Sequence, residues 1–97
     1  MTMPQSEARV PTPLGKRYLG QLCKHFEHKI PVELGDGVGR IAFEAGTCDL
    51  TADAKALVMR CAAPGEENLA RVQDVVARHL ARFAFRDVPE ITWQVVE

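Results

Sequence analysis

A chain of 97 residues, 46% hydrophobic and 26% charged, has the size and composition of one globular domain, far from the disordered regime. Its formal net charge of −1 gives no global attraction to nucleic acid or anionic lipid, so charged recognition must rest on local clusters. The start, MTMPQSEARVPTP, lacks a basic and apolar leader, and no run reaches the roughly 20 apolar residues of a membrane span; a cytoplasmic protein with neither membrane nor nucleic-acid partners is expected.

Residues 1–6 are expected to be flexible. Ala8-Arg9-Val10 reads as a short strand, and Thr12-Pro13 as a helix start, with Thr12 the N-cap and Pro13 at the first helical position. Leu14, Tyr18, Leu22 and Phe26 then recur every four residues, the apolar face of a helix ending near His28. Ile30, Val32 and Leu34 alternate as a half-buried strand, Gly35-Asp36-Gly37 turns the chain, and residues 40–44 return antiparallel with Ile41 and Phe43 inward. Residues 47–51 and 55–62 are two further strands, which bring Cys48, Leu50, Leu57, Met59 and Cys61 to one face.

Pro64-Gly65-Glu66-Glu67 opens a second helix with negative charge at its positive end. Leu69, Val72, Val76, Leu80 and Phe83 form its apolar stripe, and Glu67–Arg71 and Asp74–Arg78 are well-oriented i,i+4 pairs. Ile91, Trp93 and Val95 alternate in a last strand. The order β-α-β-β-β-β-α-β, with one apolar face per element, predicts an α+β two-layer sandwich: a single domain over 1–97, with two helices on one face of a mostly antiparallel sheet. The other sheet face would carry Arg9, Glu33, Arg40, Glu44, Asp49, Val58, Arg60, Thr92 and Gln94, a mixed polar surface for solvent or for a partner.

The stretch KHFEHK at residues 24–29 holds the densest local chemistry. His25 and His28 are spaced to share a divalent metal, but no motif supplies further ligands. The same residues suit the positively charged end of a helix, where cations meet unpaired carbonyls. With Arg17 they could also form a basic surface for a phosphate or carboxylate. His79 beside Val76 and Phe83 reads as a hydrogen-bonded structural histidine, and Arg78, Arg82 and Arg86 as a solvated helix stripe.

No catalytic motif is present, and no cofactor is implied. Gly35 to Gly39 joins two strands instead of opening a helix onto a phosphate, and Cys23 and His25, two apart on a helix, do not face each other. The cysteines, Cys23, Cys48 and Cys61, form no C-x-x-C pair and read as reduced, buried thiols.

Arg17-Tyr18-Leu19, Gln21 to Phe26 with His28-Lys29, Gly39-Arg40-Ile41 with Phe43, and His79-Leu80 with Arg82 to Arg86 together resemble a bacterial family known as domain of unknown function 2218. The resemblance runs from Ala8 to Trp93, with Leu-Cys-Lys-His-Phe-x-His-Lys its most specific block; Glu44-Ala45 departs from the more apolar turn expected there. Related domains are joined to siderophore-interacting flavin reductases, which implies a link to iron acquisition. The resemblance thus suggests a non-enzymatic accessory module whose partner is an anionic small molecule or a protein such as a flavin-dependent siderophore reductase. Arg17, Lys24, His25, His28, Lys29 and Arg40 are the candidate binding residues, with His25 and His28 the weaker metal alternative.

Overall fold

The computed structural model describes residues 3–83 and 91–96. Its elements are β1 (Gln5–Pro11), α1 (Gly15–Phe26), β2 (Val32–Gly35), β3 (Val38–Ala42), β4 (Thr47–Ala52), β5 (Ala56–Ala62), α2 (Glu66–Phe83) and β6 (Gln94–Val96). This is the expected α+β order. The strands form one six-stranded sheet in the order β2-β3-β4-β5-β1-β6, and every neighbouring pair is antiparallel. Residues 32–62 therefore fold as a local meander, while β1 closes onto β5 from far along the chain and β6 onto β1.

Several boundaries differ from the sequence reading. β1 begins at Gln5, because its ladder with β5 continues beyond Ala8 through Ser6↔Cys61 and Gln5↔Ala62. Thr12 is not the N-cap: Leu14 occupies that position without a side-chain cap, and the Thr12 hydroxyl instead accepts the Leu14 N–H at 3.1 Å. A local turn thus takes the hydroxyl that the helix would have used. α1 ends at Phe26, so His28 and Lys29 lie beyond it, with the Lys29 N–H reaching the Phe26 carbonyl at 3.0 Å. β6 is limited to Gln94–Val96, leaving Ile91 and Trp93 as half-buried residues before it.

Alternation decides which side of the sheet is covered. Ser6, Ala8 and Val10 on β1, Ile41 on β3, Cys48 and Leu50 on β4, and Leu57, Met59 and Cys61 on β5 are all buried under the helices. α1 contributes Leu19, Leu22 and Cys23, and α2 contributes Val72, Val76 and Leu80. Each leucine-sized side chain withdrawn in this way contributes about 1.5–3 kcal/mol of transfer free energy. α1 packs over β2 to β5, α2 over β4 and β5, and the helices touch each other.

Two glycines let this assembly close. In the β2–β3 hairpin Gly35 pairs with Val38, leaving Asp36-Gly37 as the loop, and only Gly37 takes a positive φ, of 72°. Gly39 faces α1, and a Cβ there would stand 2.7 Å from the Cys23 sulfur and 3.2 Å from Leu19. The missing side chain sets how closely the helix approaches β3.

Candidate functional site

The residues expected to bind a ligand do not form one cluster. Lys24 and His25 lie in the last turn of α1, His28 and Lys29 follow it, and all four are exposed. Arg17 is also exposed, and it lies on the same side of α1 as Lys24, seven residues or about two turns away. Arg40 is elsewhere: it alternates with buried Gly39 and Ile41, so it projects from the sheet face opposite the helices. There its Nε is 3.7 Å from Asp49.

His25 meets the second helix. Its ring centroid is 4.8 Å from that of His79 and 5.8 Å from that of Phe83, while the Phe26 ring packs at a tilt against His79 at 4.8 Å. Burial lowers the pKa of His25 from its ordinary value, and the charges of His79, Arg82 and Lys29 act in the same direction. His79 Nδ1 lies 2.7 Å from the Val75 carbonyl, the structural role expected of it. Among the described residues no group of three or more His, Cys, Asp or Glu side chains could hold a metal ion. On α2, Arg71 is paired with Glu67 at 3.2 Å and Arg78 with Asp74 at 3.0 Å; Arg86 lies outside the described residues.

The cysteines are free and fully buried, and Cys48 lies directly opposite Cys61 across the β4–β5 ladder. A hydrogen bond with Cys61, followed by burial, raises the Cys48 pKa well above normal; burial and then Glu27 raise that of Cys23. Thiols held protonated in this way are poor nucleophiles at neutral pH.

The uncovered sheet face is more organised. Register places Glu33 opposite Arg40, Arg40 opposite Asp49, Asp49 opposite Arg60, Arg60 opposite Glu7 and Glu7 opposite Gln94. Directly opposed residues project from the same face, so negative and positive charges alternate across β2, β3, β4, β5 and β1 in a single row. Arg60 reaches Glu7 at 3.1 Å, alongside the Arg40–Asp49 pair. The row below it is Val38, Thr51, Val58 and Arg9, and the row above is Ala42, Thr47, Ala62 and Gln5.

Open hollows flank the charged row. One of about 400 Å³ is bounded by Glu33, Leu34, Val38, Arg40 and Asp49; another of about 310 Å³ by Glu7, Asp49, Thr51, Val58 and Arg60; a third of about 140 Å³ lies beside Arg9, Thr51 and Val58. Sequence reasoning assigned Arg9, Glu33, Arg40, Asp49, Val58, Arg60 and Gln94 to this face, and the structure agrees. Glu44 and Thr92 fall outside the strands, and Glu7 was missed because β1 was read as beginning three residues too late. Its alternation with Ser6 and Ala8 was the available signal.

A model of the family described as an uncharacterized protein conserved in bacteria, DUF2218, matches residues 7–94. The chain belongs to this family. The DUF2218 fold seen here is similar to the NMR structure of PA4090 from Pseudomonas aeruginosa, with 41% identity, a TM-score of 0.82 and coverage of 95% of this chain and 96% of that one. No protein of curated function matches this DUF2218 chain. Among the described residues no helix is long and apolar enough to cross a membrane.

Proposed function

We propose that this DUF2218 domain is a non-enzymatic binding module and that the uncovered face of its sheet docks a protein partner. The row of alternating charge from Glu33 to Glu7, with hollows beside it, is the observation that carries this reading. Half-exposed ion pairs contribute only about 0–1 kcal/mol to a fold, so such a row does little for stability. Across an interface the same charges would fix register and reject wrong partners. The implied association with siderophore-interacting flavin reductases supports a partner of that class.

A second reading, capture of an anionic small molecule by Arg17, Lys24, His28 and Lys29, is favoured by the exposed positive charge at the end of α1. One experiment separates them. Tagged wild type, Arg60→Asp and the Lys24→Glu/Lys29→Glu double variant are used for affinity capture from iron-starved and iron-replete cells, with mass spectrometry of proteins and small molecules. Docking on the sheet requires that a flavin reductase recovered by wild type be lost with Arg60→Asp and kept with the double variant. The opposite pattern moves the site to α1, and recovery indifferent to both rejects each surface.

A further inference from the structure

The geometry points to a second copy of this chain as an occupant of the uncovered sheet face, packed about a twofold axis that runs parallel to the strands between β4 and β5. This rests on the reading that the sheet face docks a protein, and it names a second copy, in competition with a flavin reductase, as what occupies that face.

Register decides which packing the charges allow. Two identical faces stacked on one another require a twofold axis lying in the plane between them. An axis running across the strands along the charged row would set each charged residue against its own copy, like charge upon like; moved to lie between rows, it would set Arg40 against the partner's Val38, Asp49 against the partner's Thr51 and Arg60 against the partner's Val58, charge upon uncharged side chains. An axis parallel to the strands reverses the order of the row. If that axis is centred on β4, the reversal opposes Asp49 to Asp49 and Arg40 to Arg60, which is unfavourable.

Centred between β4 and β5, the middle of the six-stranded order, it sets Asp49 against the partner's Arg60, Arg40 against the partner's Glu7, and Glu33 against the partner's Gln94. Every charge of the central row then meets its opposite or a neutral amide. In the flanking rows no like charges are opposed: Thr51 meets the partner's Val58, Thr47 the partner's Ala62, and Arg9 the uncharged side chain of the partner's Val38. Axes between β3 and β4 or between β5 and β1 also oppose unlike charges, but each leaves two strands of every copy uncovered. Only the central axis combines full overlap with complementary sign.

Strand spacing sets the strength. Six strands about 4.8 Å apart span roughly 24 Å, and five residues extend roughly 17 Å, so each copy offers about 400 Å² of projected face. Two copies together give about 800 Å², below the roughly 1,200 Å² of standard specific interfaces and in the range of weak, transient contacts, and a charge-rich centre is unlike that of an obligate dimer. The association is therefore reversible, concentration-dependent and weakened by salt. Aligned sheets cross at about −30°, so pairs near the axis stay closest. Asp49 and Arg60 are those nearest residues.

Sedimentation equilibrium of the full chain, from micromolar to millimolar concentration at low and high salt, tests this with Asp49→Arg and Arg60→Asp. Wild type is expected to form a dimer, each reversal to raise its dissociation constant by at least about tenfold, and an equimolar mixture of the two variants to recover wild-type affinity within about threefold. Recovery arises because Arg at position 49 of one chain then meets Asp at position 60 of the other. Circular dichroism confirms folding, and Asp49→Asn and Arg60→Gln, which add no repulsion, should weaken association less than the reversals. A monomeric wild type at every concentration overturns the second copy but leaves docking of a different protein standing. A dimer indifferent to both reversals places the contact off this face and overturns the second copy as its occupant, while the capture experiment above decides the docking reading itself. Loss without recovery in the mixture overturns the strand-parallel axis.

Discussion

The two faces of the same sheet obey different rules. On β5, Leu57, Met59 and Cys61 point into the helices and are fully buried, while Val58 and Arg60 between them point outward. The covered face is defined by volume: removing a methyl group or adding one disturbs a close-packed interior. The uncovered face is defined by sign, through a row of charges that the fold itself scarcely requires. Residues that the fold does not need are free to serve recognition, and on the sheet face such residues stand in one ordered row, the basis on which it is proposed as the docking surface.

The sharpest test of this contrast is a pair of neighbouring truncations. Leu57→Ala should cost about 2–5 kcal/mol of unfolding free energy, whereas Val58→Ala, one residue along and on the other face, should cost less than about 1 kcal/mol. Denaturant unfolding of both variants measures the difference, and equal losses would show that the outer face is packed as tightly as the inner one.

A smaller effect tests the approach of α1 to the sheet. Gly39→Ala puts a methyl group 2.7 Å from the Cys23 sulfur and should cost about 1–3 kcal/mol. Combination with Cys23→Ala, which vacates that space, should recover part of the loss. Absence of recovery in a double-mutant cycle would mean that the helix position is set by other contacts.

The smallest effect concerns the helix pair. His25 has its pKa lowered in the folded state, so the unfolded chain binds the proton more readily. Its contribution is intact above the ordinary histidine pKa and is lost as the pH falls through the depressed folded value. Thermal melting should therefore drop slightly on mild acidification, and His25→Gln should flatten that slope. A steeper slope in the variant would contradict the lowered value.

Much of the fold was legible because local signals agreed with one another. Period-four apolar spacing in α1 and α2, strand alternation and the Asp36-Gly37 turn all depend on residues close in sequence. The boundaries that moved are those decided by partners far away. β1 extends to Gln5 because β5 offers Cys61 and Ala62 as neighbours, and at its other end the Thr12 N–H donates to the Lys55 carbonyl at 2.9 Å, tying Thr12 to the sheet. The candidate site was legible only residue by residue: Arg40, Asp49 and Arg60 were assigned to the outer face, but nothing local reveals their order across it.

The sequence by itself determined the class of fold, the apolar face of each element and the burial of the thiols, since these follow from composition and from periods of 2 and 3.6 along the chain. It also carried the DUF2218 resemblance. Tertiary structure alone decided that His25 meets His79, and that Glu33, Arg40, Asp49, Arg60 and Glu7 form one alternating row. The physical reason is that a side chain's face is set by local alternation, whereas its neighbours on that face are set by strand order and register, which depend on how distant segments share one core.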